Sequence, residues 1–320
     1  MESILKQAAK ATLALQQEAP FAKPVLKWAG GKTQLLPVIQ QHYPQALQAG
    51  KIDTYIEPFV GGGAVFFDIA SKFEVKNAFL FDVNPELVIL YNSLKQDVER
   101  VIAELEVLEV YYLKATEDDK KAIFSDVRAS YNADVAVAHK AVHHTPFNAK
   151  RAATTIFLNR TCFNGLFRVN SKGFFNVPHG SYKNPTILFA DKLRAASQVL
   201  QRAEIKLTDF AECEQYISGK TFIYYDPPYR PVSETSHFTA YSKDAFGDNE
   251  QVRLAEVFKK LHAADVCQLL SNSDPTNYID DPFFDDLYAD FSITRVDAKR
   301  MINSNAAKRG ALREILVRNY

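Results

Sequence analysis

The sequence predicts an α/β fold around a largely parallel sheet. Short apolar or β-branched runs at 55–56, 78–81, 205–207, 221–225 and 266–270 each end at a polar residue or proline, as buried strands do. Helical patterns lie between them, at 85–96, 191–202 and 249–264. This alternation is typical of a parallel sheet whose strands are joined by right-handed crossovers.

The segment 93–188 interrupts the alternation and is predicted to be an inserted domain. It opens with a charged helical stretch, 97–121, and then has no carboxylate between Asp134 and Asp191. A local excess of positive charge is typical of a surface that faces nucleic-acid phosphates, although a solvated basic face is the alternative. The seven cations of this stretch are Lys140, Lys150, Arg151, Arg160, Arg168, Lys172 and Lys183.

The remaining organisation follows from this insert. Residues 1–22 are predicted to be an alanine- and glutamine-rich leader without chemistry-bearing groups, and 23–92 with 189–320 to be the catalytic domain. The tail 295–320 repeats the basic bias, with seven cations against only Asp297 and Glu314.

Composition narrows the class of protein. The 38 Lys and Arg residues balance the 38 Asp and Glu residues, so net charge does not indicate a binding partner. Local clusters of charge are the better indication of nucleic-acid binding. No run of about 18 apolar residues could span a bilayer and no secretory pattern opens the chain, which predicts a cytoplasmic protein without a membrane partner. The scattered Cys162, Cys213 and Cys267 lack metal-ligand spacing, so we expect free thiols and no metal.

Three glycines follow the first predicted strand. The run 55–67 passes through Gly61, Gly62 and Gly63 into an apolar helix. Glycines let the backbone approach a bound nucleoside at the carboxyl ends of the strands. The spacing differs from the G-x-G-x-x-G fingerprint, and a plain tight turn is the alternative.

An acidic residue ends the next predicted strand. Asp82 follows the glycines by about twenty residues, where a carboxylate can accept hydrogen bonds from both ribose hydroxyls. Asp82 or Asn84 could instead cap the helix that begins at Pro85, and the two roles are compatible.

The run Asp226-Pro227-Pro228-Tyr229 stops a strongly hydrophobic strand. A carboxylate and a backbone carbonyl that accept both N–H bonds of an aromatic amine favour a tetrahedral nitrogen, and they stabilise the positive charge that develops as it attacks. Asp226 and the Pro227 carbonyl can supply these acceptors, while Tyr229 can stack on a purine. A turn with a packed tyrosine is the alternative.

With these motifs in this order, the chain resembles the Dam-like adenine-N6 DNA methyltransferases, the alpha group of the D12 class. The resemblance covers about 23–320 and includes 26–32, 157–168, 173–178, 302–305 and 308–310. It implies a Rossmann-like S-adenosylmethionine-dependent methyltransferase sheet with a mainly helical target-recognition insert. It also implies an enzyme that methylates N6 of adenine in double-stranded DNA by base flipping and direct transfer.

The resemblance implies catalytic roles for Asp226, Pro227 and Tyr229 and a site for S-adenosylmethionine. Lys32 has a physical reason to be there, because a cation can pair with the cofactor carboxylate. The implied cofactor-binding residues are Trp28, Lys32, Phe59, Gly61, Gly63, Asp82, Asp209, Phe210 and Asp226.

On the DNA side, Arg168 suits guanine O6 and N7, and Leu166 suits the thymine methyl group. The insert is similar to that of GATC-modifying enzymes from restriction-modification systems, which implies GATC as target and a cognate restriction endonuclease that acts without direct contact. Asn164-Gly165 by itself favours a tight hairpin turn. The implied DNA-binding residues are Lys27, Phe163, Asn164, Leu166, Arg168 and Tyr182.

Other functions compete with this one. Methylation of cytosine N4 or of adenine in RNA would use similar chemistry, but cytosine-N4 enzymes more often carry serine in place of Asp226. A non-catalytic DNA-binding regulator would need a broken motif, whereas Trp28, Lys32, Asp82 and Asp226 are all present. A nicotinamide dehydrogenase would need G-x-G-x-x-G.

Overall fold

The structure is a computed structural model that describes residues 21–145, 147–230, 246–274, 276, 281–299 and 311–320. Residues 1–20 of the predicted leader, the motif segments 302–305 and 308–310, and the tail cations Arg300, Lys308 and Arg309 lie outside the described residues. No helix in the described part of the chain is long and apolar enough to cross a membrane.

A seven-stranded sheet lies at the centre, in the order β3-β2-β1-β4-β5-β7-β6. The five predicted strands are confirmed and pair in parallel from β3 to β5. The antiparallel β7 lies between β5 and β6, and the sequence analysis missed both of these strands because their alternating charges read as a basic tail. The strands are β1 Thr54–Glu57, β2 Asn77–Asp82, β3 Ala203–Leu207, β4 Thr221–Tyr225, β5 Cys267–Ser273, β6 Ser292–Lys299 and β7 Ala311–Arg318.

The predicted helices are confirmed to within two residues. Asn84 caps the first of them, accepting a hydrogen bond from Glu86 N, and Pro85 occupies its first turn. The charged stretch 97–121 is two helices, because Thr116 caps a new one. The helices are α1 Leu36–Gln40, α2 Gln45–Gln48, α3 Ala64–Lys72, α4 Pro85–Gln96, α5 Val98–Leu113, α6 Glu117–Ala133, α7 Val135–Ala141, α8 Ala149–Thr161, α9 Ala190–Leu200, α10 Asp248–His262 and α11 Phe283–Leu287, with 3-10 turns at Phe163–Gly165 and Phe210–Tyr216.

A hydrophobic core covers each face of the sheet. Tyr55 and Ile56, neighbours on β1, point into opposite cores, as the period of a strand requires. Helices α5 and α8 contribute Leu105 and Ile156 to the core that holds Tyr55, whereas α10 contributes Phe258 to the other. The insert therefore shares one continuous core with the sheet, and the predicted division into domains stays a prediction.

Arg151 shows that the phosphate-facing surface was predicted too broadly. Its guanidinium is buried on α8, and its Nη2 and Nε lie 2.5 and 2.8 Å from the two carboxylate oxygens of Glu86 on α4. His139 Nε2 lies 2.6 Å from the same carboxylate. Burial alone would raise the pKa of Glu86, but His139 and Arg151 hold it below its ordinary value. The prediction is wrong for Arg151 because its counterion lies outside the carboxylate-free segment.

Two cations of the basic tail are also paired with carboxylates. Arg295 on β6 pairs with Asp274 at 3.2 Å and with Asp285 at 2.6 Å. Arg313 on β7 lies 3.4 Å from the same Asp274 carboxylate. These cations neutralise acids that precede them in the chain, so this part of the tail is not an unpaired phosphate-binding surface.

The hairpin turn predicted at Asn164-Gly165 lies further along the chain. Both residues have the positive φ that a tight turn uses, 60° and 65°, but they belong to a 3-10 turn after α8. Antiparallel bridges join Cys162 to His179 and Val169 to Phe175, so the tip of the hairpin lies at 170–173.

The Glu86–Arg151 pair yields a stability prediction. Arg151→Ala leaves a buried carboxylate with one partner fewer, so the free energy of unfolding should fall by about 3–5 kcal/mol. Urea denaturation measures this change. Lys150→Ala, an exposed neighbour on the same helix, should change it by less than about 0.5 kcal/mol. Equal effects of the two substitutions would refute a stabilising role for the buried pair.

Candidate active site

The predicted motifs meet at one edge of the sheet. After β1 the chain adds β2 and β3 on one side, and it then returns to place β4 on the other side of β1. Open α/β sheets bind ligands at the carboxyl ends of strands where the order reverses in this way. The glycine turn follows β1, Asp82 ends β2 and Asp226 follows β4, so all three lie around the crevice.

A buried ion pair joins the N-terminal segment to the end of β4. Lys32 Nζ lies 2.6 Å from Asp226 Oδ1, and only 3% of the lysine side chain is exposed. The ammonium group also donates to the Gly30 carbonyl at 3.1 Å and to the Tyr229 hydroxyl at 3.2 Å. Burial acts to lower the pKa of Lys32, but Asp226, Tyr229 and Glu314 raise it well above its ordinary value. Lys32 is therefore a cation held among acidic groups.

Glu314 on β7 completes this cluster and was not recognised in the sequence. Its Oε1 accepts a 2.6 Å hydrogen bond from the Tyr229 hydroxyl, and its Oε2 lies 3.6 Å from Lys32 Nζ. The only signal in the sequence is an acidic residue directly before the apolar run Ile315-Leu316-Val317. An acid beside such an apolar run is unusual, because acids are rarely buried without a partner.

Buried polar side chains fix the backbone that carries Asp226. Ser271 on β5 donates to Asp226 Oδ1 at 3.3 Å. Gln251 on α10 donates to the Pro228 carbonyl at 3.1 Å and in turn accepts from Asn272 at 3.2 Å. Ser271, Gln251 and Asn272 are fully buried, so these bonds form away from water, where an unpaired group would be costly. The arrangement holds Asp226 and Pro228 in one geometry.

Trp28 packs directly against the glycine turn. A Cβ on Gly61 would lie 3.1 Å from the Trp28 indole, and one on Gly62 would lie 3.1 Å from Trp28 Cβ. Gly61 also has a φ of 45°, which disfavours any side chain. On its other side Trp28 stacks on Phe167 of the insert, with ring centroids 5.3 Å apart. Trp28 thus connects the glycine turn to the insert.

Asp82 connects β2 to the same turn. Its carboxylate accepts from Gly61 N at 3.0 Å and from Asn84 N at 2.9 Å. A carboxylate has about four acceptor positions, so it can accept a further donor beside these backbone groups. Burial raises the pKa of Asp82 to about 6, and its hydrogen bonds to backbone N–H groups oppose that rise. Asn84 caps α4, so both roles proposed for this turn can operate together.

Gly63 and several aromatic side chains lie at the border of the site. Gly63 has a φ of 69° and precedes α3, and the space beside it is filled by Phe67 and Tyr91. Phe59, after β1, stacks on Phe210 with centroids 5.3 Å apart.

Asp209 has a protein partner beside these rings. Arg253 forms hydrogen bonds of 2.8 and 2.7 Å with the two Asp209 oxygens, and its guanidinium lies 4.0 Å from the Phe210 ring centroid. Phe210 is 2% exposed. Its predicted contact with the adenine of the cofactor stays a prediction.

Asn159, which the sequence analysis assigned no role, ties the N-terminal segment to the insert. Its side chain accepts from Lys27 N at 3.0 Å and donates to the Lys27 and Gly165 carbonyls, each at 2.9 Å. Lys27 covers Gly165 so closely that a Cβ there would lie 2.6 Å from Lys27 Cδ. Lys27 is consequently held next to the Phe163–Gly165 turn.

The other predicted DNA-binding residues surround this turn. Phe163 is 54% exposed, unusually so for a phenylalanine. Asn164 and Arg168 are exposed, Leu166 and Tyr182 are half-buried, and Arg168 Nε donates to Asn176 Oδ1 at 2.8 Å across the hairpin. The structure brings these residues into one surface region, apart from the Lys32–Asp226 cluster. Their contacts with DNA stay a prediction.

The charges of the crevice suit a cationic nucleoside such as S-adenosylmethionine. The carboxylates of Asp226 and Glu314 outnumber the ammonium group of Lys32, whereas burial raises the pKa of Glu57 at the end of β1 well above its ordinary value and so favours its neutral form. Excess negative charge favours a sulfonium, and the Asp82 carboxylate can accept ribose hydroxyls. The predicted pairing of Lys32 with the cofactor carboxylate stays a prediction, since the structure gives Lys32 a different partner. Within the described residues, no group of His, Cys, Asp and Glu is arranged to hold a metal ion.

Known proteins match the chain over almost its whole length. The family model described as D12 class N6 adenine-specific DNA methyltransferase matches residues 28–302. The Type II methyltransferase M.MjaIII of Methanocaldococcus jannaschii is 44% identical, covering 93% of this chain and 99% of its own. The Type II methyltransferase M1.LlaDCHI of Lactococcus lactis subsp. cremoris is 37% identical over 96% and 98% of the two chains. A DNA adenine methylase of Vibrio cholerae is 33% identical over 91% and 94%.

The raised pKa of Asp82 yields a pH prediction. If the ionised Asp82 carboxylate accepts the ribose hydroxyls, as predicted, affinity for S-adenosylmethionine should fall as pH drops through about 6. Between pH 7.5 and pH 5 the dissociation constant should rise about tenfold, because about a tenth of the groups stay ionised at pH 5. Calorimetric titration measures this. Asp82→Asn should bind weakly at both pH values, and an unchanged pH dependence in that variant would exclude Asp82 as its source.

Proposed function

The chain belongs to the D12 class of N6 adenine-specific DNA methyltransferases, and from that premise we propose that it methylates the adenine of GATC in double-stranded DNA after extruding the base. The family establishes adenine-N6 methylation of DNA with S-adenosylmethionine as donor. The target sequence, the base extrusion and the residue roles are our proposals.

The assignment of the reacting centre rests on one observation, the way the Asp226 carboxylate is held. The Asp226 carboxylate accepts a hydrogen bond from Ser271 at the carboxyl end of β4, and Gln251 holds the backbone beyond it at the Pro228 carbonyl, on the other side of the switch point from the glycine turn. The amine of a base that enters there would meet a preorganised acceptor on the side of the crevice that faces the nucleoside site. Acceptors that need not reorganise during the reaction are the main source of electrostatic stabilisation.

The chemistry follows from these groups. S-adenosylmethionine, when bound, supplies an electrophilic methyl group on a sulfonium. Asp226 and the Pro227 carbonyl accept the two N–H bonds of adenine N6, so the nitrogen lone pair becomes available and forms the new C–N bond as the C–S bond breaks. The N6 proton that must then leave passes to Asp226 and from there to solvent. Tyr229 stacks on the adenine and keeps its amine in line.

Base extrusion is supported by the difference in exposure between the predicted catalytic residues and the predicted DNA-binding residues. The Lys32–Asp226 cluster is largely buried, whereas Phe163 and Arg168 lie on an exposed surface. A base within a duplex cannot reach a buried amine acceptor, so it must leave the stack at a cost of a few kcal/mol. Phe163 would fill the space that the base leaves, and exposed cations such as Lys172 and Lys183 would offset part of the cost through phosphate contacts.

The relatives support a restriction-modification role. Two of them carry the name Type II methyltransferase, at 44% and 37% identity, and others carry the name DNA adenine methylase, at 33%. We therefore propose that the chain protects DNA from a cognate endonuclease that recognises the same site, without direct contact between the two proteins. Its substrate also supports the predicted location at the nucleoid in the cytoplasm.

The assignment of Asp226 predicts a loss of turnover. Asp226→Asn replaces an acceptor oxygen by an NH2 group, so kcat for methyl transfer to a GATC duplex should fall by at least about 10²-fold. The assay measures labelled methyl groups in single-turnover reactions. Asp290→Asn, an exposed carboxylate after α11, is the matched control and should retain normal activity. Near-normal transfer by the Asp226 variant would exclude the proposed reacting centre.

The recognition surface yields a specificity prediction. Arg168→Ala should lower kcat/KM on GATC by about 5- to 150-fold and reduce discrimination against duplexes altered at one guanine. Lys172→Ala, at the tip of the same hairpin, should lower kcat/KM on both duplexes by a similar factor, because a phosphate contact does not read sequence. If Arg168→Ala preserves the ratio between the two duplexes, Arg168 does not read a base.

A further inference from the structure

The Lys32–Asp226 pair conflicts with the reaction proposed for Asp226. In the structure the lysine ammonium group already lies 2.6 Å from the carboxylate oxygen Oδ1. An adenine amine needs that carboxylate as an acceptor, and the positive charge that develops on N6 needs its negative charge. A carboxylate neutralised by a lysine at contact distance serves both purposes poorly. The proposed reaction is therefore favoured when the Lys32 ammonium group leaves Asp226.

Glu314 offers the alternative position. Its Oε2 is buried, lies 3.6 Å from Lys32 Nζ, and has no hydrogen-bond partner within the described part of the chain. Its Oε1 is fixed by the Tyr229 hydroxyl at 2.6 Å, which holds the carboxylate in place. A buried acceptor without a hydrogen bond is costly, so an ammonium group that completes this contact gains stabilisation.

We propose that Glu314 is a positioning residue that receives the Lys32 ammonium group when the target amine enters, and thereby frees Asp226 for the reaction. This inference rests on the proposed function of Asp226. The ammonium group moves from one carboxylate to another within the same cluster, so no net charge enters the site. Glu314 contacts neither the target adenine nor S-adenosylmethionine in this proposal, and it affects the reaction only through the position of Lys32.

The role requires the charge of Glu314 and not only its shape. Glu314→Gln retains an oxygen that can accept the Tyr229 hydroxyl, but it removes the negative charge that would hold Lys32. If Glu314 merely supported Tyr229, this variant would behave like the original chain. The proposal instead predicts a kcat for GATC methylation lower by at least about tenfold, with the dissociation constant for S-adenosylmethionine and the KM for DNA changed less than about threefold.

Glu256→Gln is the matched control, since it makes the same substitution at an exposed position of α10. Thermal unfolding of both variants checks that they fold. A Glu314→Gln chain that folds and turns over at the normal rate would overturn the inference. If the unsubstituted chain itself transfers no methyl group, the proposed function fails instead.

A second measurement does not depend on the folding of a variant. A crystal structure of the unsubstituted chain with S-adenosylhomocysteine and a GATC duplex should show Lys32 Nζ in hydrogen-bond contact with Glu314 Oε2, and Asp226 in contact with the amine of the target base. Lys32 still bound to Asp226 beside an extruded adenine would overturn the inference.

Discussion

The contact between Lys32 and Asp226 is the interaction on which the rest of the site depends. It joins a segment that precedes β1 to the residue that follows β4, across 194 positions of the chain (226 minus 32). Burying the Lys32 charge without its partner would be strongly unfavourable, so the segment that carries Trp28 and Lys32 docks where Asp226 can pair with it. Trp28 then packs on Gly61 and Gly62, which is why the turn needs glycines there. A single electrostatic contact thus aligns the glycine turn with the end of β4.

The same docking positions the surface that is predicted to face DNA. Lys27 precedes Trp28, and Asn159 clamps its backbone to the turn that carries Phe163 and Gly165. Phe167 of the insert stacks on the other face of Trp28. The residues expected to bind the cofactor and those expected to read DNA are therefore connected by short steps of packing and hydrogen bonding. Groups coupled in this way keep a fixed spacing, which a reaction between a bound methyl group and an extruded base requires.

Local patterns in the sequence predicted much of the fold but little of its long-range pairing. The five parallel strands and α4 with its Asn84 cap followed from periodicity and capping chemistry, and the three motifs converged because parallel strands end at the same edge. Glu314 was missed because its partner Tyr229 lies 85 residues before it, and periodicity does not reveal that β4 and β7 lie close together in the sheet. Arg151 was assigned to the surface for the same reason, since Glu86 lies 65 residues before it. Charge counts along the chain cannot show which charges neutralise each other in space.

The central claim is that the Asp226 centre methylates adenine N6 at one short sequence in DNA. Single-molecule sequencing of modified bases in DNA from cells that lack adenine methylation, expressing either this chain or its Asp226→Asn variant, tests it most directly. The account predicts N6-methyladenine at essentially every GATC site with the unsubstituted chain and at none with the variant. N4-methylcytosine, or N6-methyladenine that persists in the variant, would contradict it.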